Sequence, residues 1–140
     1  MGKLSILILA AFLATGCSKP LPPKPDLPRN IKPDWKLKAY ETDASPLGLP
    51  VAGAPNQMPR QCWKAHYDAK HPATVWICGY DTVNDAFEAF QRSIVESDTV
   101  KLSEDRYLVI ASTMATDNSQ DHEEFKSLVR GVQSKLKPGK

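Results

Sequence analysis

The chain is short of the residues on which most site chemistry is built: three cysteines, three histidines and seven glycines among 140 residues. No Cys-x-x-Cys occurs, which removes the usual redox-active pair and the Cys-x-x-Cys-His haem attachment signature. A Gly-rich phosphate loop, a Gly-x-Ser-x-Gly elbow and a His-Glu-x-x-His helix are missing as well, so the common nucleotide, hydrolase and zinc-protease signatures drop out. Long apolar stretches are also lacking. The run from Leu4 to Ala14 would span about 16 Å as a helix against roughly 30 Å of bilayer hydrocarbon, too short for a lasting transmembrane anchor. Charge is nearly balanced at +2, and beyond Lys38 the chain is mildly acidic, which leaves no electrostatic footprint for nucleic acid.

Proline is what the chain has in excess. Ten of its 12 prolines fall between Pro20 and Pro59, dividing the sequence into two compositional halves. From Lys19 to Pro33 it reads KPLPPKPDLPRNIKP, which favours polyproline II over helix or sheet. Fifteen such residues reach about 45 Å at 3.1 Å each, a semi-rigid spacer. The alternative is a ligand for an aromatic groove. Six basic residues stand against two acidic ones between Cys17 and Lys38. Near an anionic membrane each would add about 1 kcal/mol of attraction, while the same lysines also serve to keep a linker soluble.

The first 18 residues, MGKLSILILAAFLATGCS, combine a positive start (Lys3), a short apolar stretch and small residues before Cys17. The ending Ala14-Thr15-Gly16-Cys17 resembles the lipobox of bacterial lipoproteins, in which signal peptidase II cuts before a lipid-modified cysteine. One position departs from that pattern, with Ala14 where Leu is usual and Leu13 one step earlier. The resemblance implies a diacylglyceryl thioether and an acylated amino group on Cys17, with palmitate-like chains anchoring the protein at about 0.8 kcal/mol per buried CH₂. In Gram-negative relatives an Asp after the cysteine retains a lipoprotein in the inner membrane. Ser18 therefore implies the outer membrane, with the protein facing the periplasm. The expected organisation is a signal peptide over 1–16, a lipidated proline-rich linker over 17–33, an extended or loop segment over 34–59 and a small domain over 60–137.

Within 34–59, Trp35, Leu37 and Ala39 alternate with polar neighbours as a short strand would, and SPLGLPVAGAPNQMP reads as a loop lying against the domain. Gln61–Tyr67 and Thr74–Tyr80 read as a hairpin around DAKHP. Centred on Lys70, it pairs Cys62 with Cys78, Trp63 with Ile77 and Ala65 with Val75. From Thr82 to Glu96, Val83, Ala86, Phe87, Phe90 and Ile94 recur at helical spacing behind a Thr82/Asp85 cap. Strands over 100–102 and 107–114 flank the polar turn Ser103-Glu104-Asp105. A second helix from about His122, capped through Asp121 and Glu124, carries Phe125, Leu128, Val129, Val132 and Leu136. The expected fold is α+β: a small antiparallel sheet in ββαββα order with both helices on one face.

Cys62 and Cys78 remain for chemistry once Cys17 is lipidated. An exported, oxidising setting favours a disulfide worth roughly 3 kcal/mol for such a loop. A metal site combining Cys62, His66, His71 and Cys78 matches no established zinc spacing, and free thiols are the third reading. Trp76, with His66 and His71, marks a possible binding face that is either exposed or covered by residues 34–59. His66, Asp68 and His71 are equally what a polar hairpin tip contains without catalysis. No metal and no cofactor is expected. The expected function is a non-catalytic, membrane-anchored envelope lipoprotein whose domain binds another envelope protein. A small-ligand or metal carrier or sensor is the alternative, followed by a thiol or hydrolytic enzyme.

Overall fold

The structure, a computed structural model, describes residues 20–43, 58–95, 98–114 and 117–138. The signal peptide, Cys17, Ser18 and most of the loop expected before residue 59 lie outside the described residues.

Six strands and two helices follow one another as β1 (Asn30–Ile31), β2 (Trp35–Asp43), β3 (Gln61–Asp68), β4 (Ala73–Gly79), α1 (Val83–Arg92), β5 (Thr99–Glu104), β6 (Tyr107–Thr113) and α2 (Ser119–Leu136). All strand pairs are antiparallel, in the order β1-β2-β3-β4-β6-β5. The β3–β4 hairpin has the register expected from its sequence, with Cys62 opposite Cys78, Trp63 opposite Ile77 and Ala65 opposite Val75. The α+β class therefore holds, but the ββαββα order does not. Residues 30–43 precede the expected domain start and add two strands. A bulge between Leu37 and Ala39 lets β2 follow β3 along its length.

The placement of both helices on one face is also corrected. Trp63, Ala65, Tyr67, Ala73, Val75, Ile77, Tyr107, Val109 and Ala111 point to one side, where α2 packs Phe125, Leu128, Val129, Val132 and Leu136 against them. Cys62, Cys78, Leu108 and Ile110 point to the other, beneath Ala86 and Ala89 of α1. The reason lies in β6. Tyr107 to Ala111 is a continuous apolar run with every residue buried, as a strand covered on both faces requires. On its own face α2 touches both β1 and β5, the two edges of the sheet. Its Gly131 leaves room for Ile31, whose Cδ1 would sit 2.9 Å from an added Cβ.

Helix ends follow local chemistry. Thr82 Oγ1 accepts from the Asp85 amide at 3.0 Å, so the first expected cap is present. α2 starts earlier than expected, because Asn118 Oδ1 accepts from the Gln120 amide at 2.9 Å. Asp121 lies within the first turn rather than at the cap and faces the hairpin loop, beside Lys70 and His71. The β5–β6 turn is Asp105-Arg106, with Asp105 at φ 51°, a left-handed conformation Asp tolerates better than most residues.

Candidate functional site

Three features bear on function: a proline-rich strap, an apolar helix ridge and the sheet face around Trp76. The strap is the least anticipated. Residues 20–28, read above as part of a stand-off spacer, lie on the α2 side of the sheet. Pro22 and Pro25 are buried, and Leu27 belongs to the main core. Three tyrosine hydroxyls from three strands hold it: Tyr107 donates to the Pro23 carbonyl at 2.6 Å, Tyr40 to Pro25 at 2.7 Å and Tyr67 to Pro28 at 2.8 Å. Lys24 adds a 3.2 Å bond from Nζ to the Tyr40 carbonyl and sits 4.2 Å from the centroid of the Tyr40 ring.

The chemistry explains the fit. Polyproline II makes no internal hydrogen bonds, so its carbonyls must be satisfied from outside, and a phenolic O–H at the edge of a ring supplies both a donor and apolar area. Burial holds the Tyr40 and Tyr67 hydroxyls well above the usual tyrosine pKa, and Tyr107 is raised for the same reason. All three remain donors throughout the ordinary pH range. At the strap's first turn Pro22 lies over Gly79, where an added Cβ would meet the Pro22 ring at 2.6 Å. Only glycine allows that approach.

The ridge comes from α1. Its inward side is small, Ala86 and Ala89, which lets the helix sit close to the disulfide and Ile110. Its outward side carries Val83 and Phe87 at 55 and 45% exposure, and Ile94, 74% exposed, follows just after the helix ends at Arg92. Phe87 stacks on half-buried Phe90, with ring centroids 6.1 Å apart. Lys101 crosses from β5 to cap the helix end, donating to the Phe90 and Ser93 carbonyls at 2.6 Å each. The sequence stripe Val83, Ala86, Phe87, Phe90, Ile94 is thus split. Ala86 faces in with half-buried Phe90, Val83 and Phe87 face out, and Ile94 lies beyond the helix, which ends at Arg92 rather than running on to Glu96.

The sheet face beside α1 holds Trp76, half-buried, with Lys64 Nζ 5.6 Å from its ring centroid. His66 is on the same face, next to Thr74 at 3.3 Å. Cys62 and Cys78 are joined in a disulfide with their Cα atoms 4.1 Å apart. His71 does not join this group. Its Nε2 lies 3.1 Å from Asp121 Oδ2 at the start of α2, on the opposite side of the sheet, with Lys70 Nζ 3.9 Å from Oδ1. The expected trio of Trp76, His66 and His71 is therefore two residues on one face and one elsewhere, because the hairpin tip folds toward α2. Among the described residues no group of three or more His, Cys, Asp or Glu side chains is placed to hold a metal ion, and no helix is long and apolar enough to cross a membrane.

A cavity of about 330 Å³ opens where Val100, Met114 and Phe125 meet Asp98 and His122, between the β5–β6 edge and the start of α2. The strap-holding role of the three tyrosines is not legible in the sequence, where Tyr67 reads only as an aromatic residue of its strand. They stand 15 to 84 residues from the carbonyls they bind, so no local spacing could reveal them. No protein-family model, no curated protein and no solved structure matches the chain.

Proposed function

We propose that this chain is a bacterial envelope lipoprotein, held in the outer membrane through lipid on Cys17, whose periplasm-facing domain docks another envelope protein without catalysing a reaction. The observation that carries the docking reading is the α1 ridge. Val83 and Phe87 are exposed on α1 and Ile94 just past its end, while the helix packs inward through Ala86, Ala89 and half-buried Phe90. Large side chains of this kind gain about 1.5–3 kcal/mol each when fully buried, so a complementary partner would find most of its hot-spot area there. Trp76 and Lys64 on the neighbouring sheet face extend the same side of the molecule, and His66 adds a polar rim. The anchoring reading rests on the resemblance of residues 14–17 to a lipobox.

The test takes the two parts separately. Intact mass of membrane-extracted protein reads acylation of Cys17 directly, and an unmodified cysteine ends the anchoring reading. Affinity capture from crosslinked envelopes then compares wild type with Phe87→Glu/Ile94→Glu and with Arg130→Glu on the exposed side of α2. One recurrent partner, lost only with the ridge variant, supports docking through α1. Equal recovery with both variants ends that placement.

A second reading, a small-ligand carrier, draws on the cavity lined by Val100, Met114 and Phe125, whose size and apolar walls suit a small ligand. It predicts a thermal shift with apolar ligands that Val100→Trp abolishes.

A further inference from the structure

Resting on the lipoprotein reading, we infer that the domain lies directly on the bilayer that holds its own lipid, with the Gly79 end of the sheet facing the membrane. The occupant of this surface is a lipid surface, and the short reach of the tether fixes it there. Pro22 is buried over Gly79, and the Tyr107 hydroxyl holds the next carbonyl. Four residue steps separate Cys17 from Leu21, the exposed residue before that contact. Fully extended, they span at most about 14 Å. The 45 Å stand-off that the proline-rich segment would give as a free spacer is not open to a chain whose strap is docked.

The end of the sheet that receives this short tether is apolar where it is exposed. β3 begins there, β4 ends there and α1 starts four residues beyond Gly79, which brings Leu21, Met58 and Val83 to the same end. Arg60 and Arg106 also lie there, against Asp81 (3.8 Å from Arg60), Asp105, Asp43 and Glu104 at the same end. Net charge is therefore not what holds the surface down. Apolar contact and the tether do. The opposite end, where Met114 follows β6, is lifted away by the length of a strand, about 23 Å for seven residues. The same orientation leaves Phe87, one turn along α1, and Ile94, past its far end, clear of the lipid and open to a protein partner.

Met58 and Met114 make a matched pair of reporters, 56 and 64% exposed at opposite ends. The experiment uses full-length lipidated protein carrying Met58→Cys or Met114→Cys, each labelled with an environment-sensitive fluorophore. The protein is reconstituted into phosphatidylethanolamine/phosphatidylglycerol vesicles containing nitroxide-labelled lipid. Intact mass is read first on the same samples. The expected result is several-fold stronger quenching at position 58 than at 114. Adding Leu27→Ala/Tyr67→Phe to release the strap should bring the two positions toward equality. Acylated protein with equal quenching at both positions, or stronger quenching at 114, overturns the orientation while leaving the anchor standing. Protein lacking acyl chains on Cys17 overturns the anchor itself, and the orientation with it.

Discussion

Leu27→Ala separates a docked strap from a free spacer by stability alone. Leu27 is 5% exposed and packs in the main core with Tyr67 and the α2 side chains. Truncation removes three buried carbons and leaves a cavity beneath a segment that can only partly collapse, because Tyr107, Tyr40 and Tyr67 pin the carbonyls on either side. Buried Leu→Ala changes cost about 2–5 kcal/mol. The strap is a surface layer, and the lower half of that range applies, about 2–3 kcal/mol. Tyr67→Phe isolates the polar part. It leaves the ring in place and deprives the Pro28 carbonyl of its donor, a cost of about 1–2 kcal/mol. The assay is urea unfolding of the full chain with its disulfide intact, followed by tryptophan fluorescence, with the midpoint read at unchanged slope. Tryptic cleavage after Arg29 adds a local reading, because the Arg29 carbonyl accepts from the Leu37 amide at 2.8 Å while the strap is seated. Cleavage should accelerate in both variants. If residues 20–28 were a solvated spacer, Leu27→Ala would stay within about 0.5 kcal/mol of wild type, as surface substitutions do, and that result would refute the reasoning.

Gly79→Ala should destabilise the domain by about 1–3 kcal/mol through overpacking against the Pro22 ring, with the β3–β4 register intact by amide chemical shifts. Replacing Cys62 and Cys78 together with Ser should cost about 3 kcal/mol in the same urea assay, since the bridge closes a loop of 16 residues in sequence separation. Alkaline titration should show stability flat to about pH 10 and falling above it. Folded-state burial raises the hydroxyls of Tyr40, Tyr67 and Tyr107, and of Tyr80, pushed up to about 12, so the native state keeps protons that the unfolded chain releases near pH 10. Each such group steepens the loss by up to about 1.4 kcal/mol per pH unit, and Tyr67→Phe should make the fall shallower.

Local patterns in the sequence carried the hairpin far. Alternation in QCWKAHY and TVWICGY, with a five-residue loop between, was enough to place Cys62 opposite Cys78, where the disulfide forms. Element order alone places both helices on one face, whereas α1 and α2 cover opposite faces. The signal was present in Tyr107 to Ala111, whose unbroken apolar run calls for cover on both sides. The strap was hidden for a different reason. Polyproline composition states a backbone preference and says nothing of what the carbonyls meet. Here their donors come from three strands up to 84 residues away. The split of the α1 stripe is of the same kind. Periodicity marks Val83, Phe87 and Ile94 as apolar helix positions, but the helix stops at Arg92, and the small side chains of Ala86 and Ala89 decide which side goes inward, which depends on the sheet they meet.

The most direct test of an anchored docking domain is site-specific photocrosslinking in intact cells. A crosslinking residue replaces Phe87 on the ridge, or Arg130 on α2 as the control, each with and without Cys17→Ala. The account predicts one discrete adduct from position 87 that the anchor-less chain loses and that position 130 does not form. Adducts from position 130 alone, or none from position 87 while Cys17 is acylated and the protein folded, would contradict it.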